Sequence, residues 1–146
     1  MGLSERLSER DLAFLAANHT AGMITIAPDG VPKVARVGVA VVDGELWSSS
    51  TLDRTRTKRL RRDPRCTVYV TDPGYGWLAV ETTVTILEGP EAPAQNLQLM
   101  RVMQGKPSGP LSWFGGELTE EEFLRTMVEE RRVVYEFDVS RAYGMH

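Results

Sequence analysis

The sequence predicts a mainly β fold, an antiparallel β-barrel with helices at its edge. Three observations predict it. Six strand-like segments follow one another through mainly tight turns, the longer helical patterns fall at the start and late in the chain, and the βαβ rhythm of a parallel sheet is missing. The first element is a helix: Ser8 caps a run in which Leu12, Leu15 and Ala16 share a face, with Asp11 at the capping-box position, and the run ends near Asn18-His19. Strands over Gly22 to Ala27 and Val31 to Val42 flank the turn Pro28-Asp29-Gly30, and Asp43-Gly44 leads by a two-residue loop into a third strand, Glu45 to Ser50. Arg54 to Arg62 reads as a short helix stopped by Pro64. Strands follow at Arg65 to Thr71 and Trp77 to Leu87, separated by Asp72-Pro73-Gly74-Tyr75-Gly76. A helix over Ala92 to Met103, a loop at Lys106 to Pro110, a helix capped by Thr119 with Glu122 at its capping-box position, and a strand from Val133 to Val139 complete the order.

At 146 residues, 42% hydrophobic and 25% charged, the chain reads as one domain spanning 1–146. A domain of this length buries roughly 70% of the surface its unfolded form exposes, so it needs no disulfide or metal staple, and Cys66 is its one cysteine. A polar opening after Met1 and the lack of a long apolar run lead to the expectation of a cytoplasmic protein without signal peptide or membrane span. Charge is segregated. Residues 53–65 hold seven basic side chains against Asp53 and Asp63, so that stretch carries +5 and the remainder −8 of a net −3. General nucleic-acid binding needs a broad basic face, and this distribution points instead to a local anion site.

Dinucleotide-binding glycine patterns, phosphate-loop lysines, zinc-protease histidines, paired cysteines and serine-nucleophile elbows are absent, and His19 and His146 are the only histidines. No metal site and no catalytic residue is assigned. The informative constellation is Ser48-Ser49-Ser50-Thr51 followed by Arg54-Thr55-Arg56-Thr57-Lys58: a strand ending in hydroxyls that turns into a helix start bearing cations. Helix-terminal N–H groups, hydroxyls and arginine forks together make a phosphate cradle. The alternative is a solvated basic helix paired with Glu120-Glu121-Glu122. Trp77, behind Tyr75, is placed either to sandwich a flat ring or to fill the barrel core or a dimer interface. In the second strand Val34, Arg36, Gly38 and Ala40 share a face, with Lys33 on the other. The stretch from Gly105 to Gly116, carrying Trp113 and Phe114, is expected to wall a pocket.

Thr51-Leu52-Asp53-Arg54-Thr55-Arg56-Thr57-Lys58-Arg59-Leu60-Arg61-Arg62-Asp63-Pro64-Arg65, then Gly76-Trp77, Glu130-Arg131-Arg132-Val133 and Tyr143-Gly144, resembles the pyridoxamine-phosphate-oxidase-like split β-barrel flavoproteins, and within them the actinobacterial deazaflavin-dependent reductase branch. The resemblance spans essentially the whole chain. It implies a homodimer with two cofactors in grooves between subunits, and coenzyme F420 as the cofactor, with FMN or FAD in other branches. It also implies hydride transfer from reduced deazaflavin to an unidentified small-molecule acceptor; a flavin carrier without turnover is the rival reading. The residues it points to for the cofactor are Lys33, Arg36, Ser49, Ser50, Thr51, Arg54, Arg56, Lys58 and Trp77. Arg56 stands where the family more often has lysine, and Lys58-Arg59 replaces its usual Arg-Asn. Tyr75 and Tyr143 are candidate proton donors, each equally explained by packing or an interface.

Overall fold

The computed structural model describes residues 2–146. Nine strands alternate with four helices: α1 (Glu9–Ala17), β1 (Thr20–Ile26), β2 (Pro32–Gly38), β3 (Ala40–Val42), β4 (Glu45–Thr51), α2 (Thr55–Arg62), β5 (Arg65–Thr71), β6 (Trp77–Leu87), α3 (Ala92–Gln104), β7 (Leu111–Trp113), β8 (Gly116–Leu118), α4 (Glu120–Glu129) and β9 (Arg132–Met145). Seven strands form one antiparallel sheet in the order β2-β1-β5-β6-β9-β4-β3, and β7 and β8 make a separate hairpin.

The two outermost strands of this sheet, β2 and β3, are neighbours in the chain. The expected single strand from Val31 to Val42 is therefore two strands, broken at Val39: its first part pairs with β1 and its second with β4. The corner is held from both sides. Val39 N–H donates to the His19 carbonyl at 2.8 Å, His19 Nδ1 donates to the Val39 carbonyl at 2.9 Å, and Ser48 Oγ donates to the Gly38 carbonyl at 2.7 Å. One bent segment thus joins the two edges of the sheet and closes it into a split barrel. Inside lie Met23, Leu46, Val68, Val80, Tyr135 and Phe137, joined by Leu15 from α1 and Leu60 from α2.

Outside the barrel, α3 covers β3, β4 and β9 by packing Leu99 against Ala40, Val42, Trp47 and Val134. A third cluster of Met100, Leu111, Phe123 and Met127 fastens α4 and the β7–β8 hairpin onto α3. The Thr119 capping box forms as expected, Glu122 N–H reaching Thr119 Oγ1 at 3.2 Å and Thr119 N–H reaching the Glu122 carboxylate at 2.9 Å. Ser8 accepts from Asp11 N–H, whereas the Asp11 carboxylate turns instead to His146 Nε2 at 2.8 Å.

Asp43 (φ 48°) and Gly44 (φ 79°) form the expected two-residue turn, with both residues left-handed. A second turn of this kind, Phe114 (φ 45°) and Gly115 (φ 80°), lies where the sequence pattern shows a loop. β9 also runs six residues beyond the expected Val139, because Ser140 bulges out of register opposite Glu81 and Thr82, and alternation resumes past it with inverted phase.

Beyond the bulge Gly144 lies opposite Leu78, so close that a Cβ there would stand 2.9 Å from the Leu78 Cα and closer still to the Trp77 carbonyl oxygen. Gly144→Ala is expected to cost about 1–3 kcal/mol in urea unfolding, the range for overpacking. Cys66 is buried, and burial pushes its thiol up to about 12. Native protein at pH 8 should resist iodoacetamide and label only in denaturant; rapid native labelling would mean that β5 and β6 separate readily.

Candidate functional site

β4 delivers the chain directly into α2, so the cationic segment starts where the barrel wall ends. Arg54 is the N-cap residue, no side chain caps this terminus, and no acidic residue lies in the first turn. Cations at a helix start oppose the helix dipole, and the acidic group beside them is Asp53, one residue before the cap. Thr57 fixes the segment: its hydroxyl donates to the Thr51 carbonyl at 2.8 Å and pairs with the hydroxyl of Tyr135, which rises from the barrel interior. That contact turns Arg56 inward. Arg56 Nε is buried and has no hydrogen-bond partner, and the guanidinium lies beside the Tyr135 hydroxyl, Arg54 and Arg132. Burial is the main influence lowering its affinity for a proton, the neighbouring arginines add to it, and Tyr135 opposes them.

The nearby carboxylates are engaged elsewhere. Asp53 accepts from Thr51 Oγ1 at 2.8 Å and faces Arg131 at 3.8 Å; its carboxyl is held below the usual range, first by the Thr51 hydrogen bond. Farther along, Arg61 forms a two-pronged pair with Glu88, Arg62 bonds the Ile26 carbonyl, and Arg65 holds the Asp63 carboxyl near about 2. None of these basic residues pairs with Glu120-Glu121-Glu122; the helix α4 carboxylates meet Arg101 and Arg125 instead. Arg54 and Arg56 have no carboxylate partner among the described residues, while Lys58, Arg59 and Arg62 line a cleft of about 260 Å³ with Ala27, Pro28 and Thr55. A cluster of like charges with a buried, unpartnered guanidinium N–H fits an anionic group such as a phosphate.

The hydroxyls of β4 divide by the two-residue period of a strand. Ser48 and Ser50 face the barrel interior, where Ser48 serves the Val39 corner and the fully buried Ser50 Oγ has no partner. On the outer side Ser49 donates to the buried Asn96 of α3, and Thr51 donates to Asp53. Three of the four hydroxyls are thus committed to internal bonds.

Register sorts the remaining sequence candidates. Arg36, Gly22, Tyr69, Ala79 and Tyr143 stand in one row across β2, β1, β5, β6 and β9, and Trp77 and Met145 share the next row. Trp77 packs at a tilt of 39° against Tyr69 (centroids 5.7 Å apart) and meets Tyr143 edge-on at 6.0 Å. Met103 of α3 reaches this face at Gly38, and Val34 at 73% exposure and Met145 at 69% make the rest openly apolar. Along β9, Met145 opposite Trp77 is separated from Arg132 opposite Thr51 by thirteen residues, roughly 40 Å of extended strand. Trp77 and Arg36 therefore share a face with each other and not with Arg54 and Arg56. Lys33 is exposed at the other end of β2, paired with Thr25 next to the Ile26 that Arg62 touches.

Arg132 was not singled out from sequence as a site residue, nor was Tyr135. Arg132 pairs with Thr51 at the start of β9, and its Nε donates to Glu130 at 2.9 Å. Its guanidinium carbon stands 5.0 Å from the Trp113 ring centre and 6.0 Å from that of Phe114. The stretch expected to wall a pocket is thus an aromatic hairpin resting on a third arginine of the cluster. Among the described residues no group of three or more His, Cys, Asp or Glu is arranged to hold a metal, and no helix is long and apolar enough to cross a membrane.

Known proteins share this architecture. The conserved hypothetical protein Rv2991 from Mycobacterium tuberculosis superposes with a TM-score of 0.72 at 23% identity, covering 95% of this chain and 84% of that one. An F420 reductase superposes with a TM-score of 0.68 at 21% identity, covering 94% and 98% respectively. The family model for pyridoxamine 5'-phosphate oxidase matches residues 7–145. With the barrel closed through Val39 and nearly the whole chain matched, this protein belongs to the pyridoxamine 5'-phosphate oxidase family of split β-barrels.

Proposed function

We propose that this chain is a homodimeric oxidoreductase that binds coenzyme F420 through its phosphate and reduces a small-molecule acceptor. One observation carries the reading: Arg54, Arg56 and Arg132 converge at the start of α2, and the buried Arg56 Nε has no partner in the protein. The family supports a flavin-type cofactor, and the F420 reductase with the same fold supports the deazaflavin over FMN or FAD. Bound at this site, the reduced cofactor supplies the hydride. The chain's own residues bind and orient: the arginines hold the anionic group, and the Thr57–Tyr135 contact keeps α2 and Arg56 in place. Lys58 and Arg59, with Lys33 at the same end of the barrel, are suited to the glutamate chain that F420 carries beyond its phosphate.

The homodimer is supported by the uncovered face of Val34, Tyr69, Trp77, Tyr143 and Met145, apolar surface that a second copy would remove from water. In this reading Trp77 and Arg36 serve a cofactor only across the subunit boundary. Sedimentation at micromolar concentration is expected to give about twice 16.3 kDa, and a clean monomer with full cofactor affinity would overturn the shared groove.

Arg54→Ala and Arg56→Ala are each expected to weaken F420 binding by about 1.5–3 kcal/mol, the range for hydrogen bonds to charged groups. Arg62→Ala, whose side chain is occupied with Ile26, should leave affinity nearly unchanged. Equal small effects at all three positions would return the basic run to a solvated face. In equilibrium titrations F420 should bind more tightly than FMN, with a preference that shrinks from low to physiological salt as exposed charge pairs are screened. Tighter FMN or FAD binding at every salt concentration would reassign the cofactor. Single-turnover oxidation of bound reduced F420 separates a reductase from a carrier, since a carrier gives no acceptor-dependent rate.

A further inference from the structure

The turn at the tip of the β7–β8 hairpin breaks the rule that the other one obeys. Two-residue turns with both residues left-handed favour Asn, Asp or Gly first, because a larger L side chain crowds its own backbone there. Asp43-Gly44 follows that preference; Phe114-Gly115 places a phenylalanine at φ 45° and leaves it 82% exposed. Neither the turn nor the core gains from this ring. Behind it, Trp113 meets Phe114 edge-on at 5.0 Å and the fully buried Phe123 at 5.4 Å, so the hairpin tip is braced against the α4 core. Glu130 takes both the Trp113 indole N–H at 3.4 Å and Arg132 Nε at 2.9 Å, which locks the aromatic pair to the arginine cluster. An exposed, braced ring beside Arg132, next to Arg54 and Arg56 with no carboxylate partner among the described residues, suits a ligand that is flat at one end and anionic at the other.

We infer that Phe114 is the ring-selecting residue of this site: it stacks on the planar ring of a ligand whose anionic group lies on Arg54, Arg56 and Arg132. The inference rests on the anion-site reading above and adds which residue reads the aromatic part of the ligand. A stacking ring loses its contact when replaced, whereas the turn itself improves when Asn takes the left-handed position.

The test is Phe114→Asn, with Phe114→Tyr beside it, titrated with F420, FMN and ring-free inorganic pyrophosphate, and with thermal melts and sedimentation of the ligand-free proteins. Phe114→Asn is expected to raise the melting midpoint by about 2–4 °C and to weaken F420 or FMN about tenfold or more. Pyrophosphate binding should stay within about twofold, because Glu130 and Trp113 still hold Arg132 when the Phe114 ring is gone, and Phe114→Tyr should restore ring affinity. Unchanged affinity for both ring ligands would overturn the proposal. So would equal weakening of pyrophosphate, which would mean that the residue acts through the arginines, or a shift in oligomeric state, which would make Phe114 an interface residue. If the wild-type protein binds none of the three probes, the anion-site reading itself fails and this inference falls with it; wild-type pyrophosphate binding together with unchanged ring affinity in Phe114→Asn isolates the failure to Phe114.

Discussion

The bend at Val39 sets the geometry on which everything else depends. A twisted sheet of seven strands leaves two edges of unpaired backbone, and here both edges belong to one short segment that turns through a buried residue. The hydrogen bonds from His19 and Ser48 hold that turn at the places where β1 and β4 meet it. Ser48 couples the corner to β4, and β4 ends where α2 begins. The position of the arginine cluster therefore follows from barrel closure, and Tyr135, whose strand flanks β4, completes the link from inside.

The cluster itself is electrostatically one-sided. Proteins usually interleave carboxylates with a run of arginines, and the end of α2 and the start of β5 do so through Glu88 on Arg61 and Asp63 on Arg65. The first half of α2 does not. Asp53 is drawn off by Thr51 and Arg131, and Glu130 is divided between Arg132 and Trp113. Bringing cations together in partial burial lowers stability unless something of opposite charge completes the set. This imbalance has the form expected of a binding site, where local stability is traded for a fixed arrangement of donors.

Much of this was legible in the sequence because it is local. Alternation marks β1, β5 and β6, Asp43-Gly44 marks its turn, Thr119 and Glu122 mark a helix start, and the run from Arg54 to Lys58 stands out by charge alone. What stayed hidden depends on register or on exceptions to local preference. The break at Val39 follows an apolar pattern that continues unbroken through it, since both halves are strand and only their partners differ. The bulge at Ser140 shifts the phase of alternation, so β9 reads as ending early. Phe114 conceals a turn by occupying a position where small polar residues are usual. Arg132 lies 81 residues from Thr51 and meets it only through pairing of β4 with β9, whereas Trp77 is close to the basic segment in sequence and far from it along the sheet. The hydroxyls of β4 look alike in a row, and only the pleat separates those facing inward from those facing out.

Pairing of β9 with both β4 and β6 also imposes an order of events on synthesis. The meander of β1, β2, β5 and β6 can assemble as it emerges, but the partner that joins it to β4 comes from residues 132–145, the last of the nine strands to be made. Until β9 is in place, β4 and β6 each present an open edge, and the β1–β2 and β3–β4 ladders on either side of Val39 are joined to each other only through the bend. Barrel closure consequently waits on distant contacts, the kind that forms slowly and leaves sticky intermediates. The nascent chain's exposure to chaperones and to mispairing is set by how long those two edges wait.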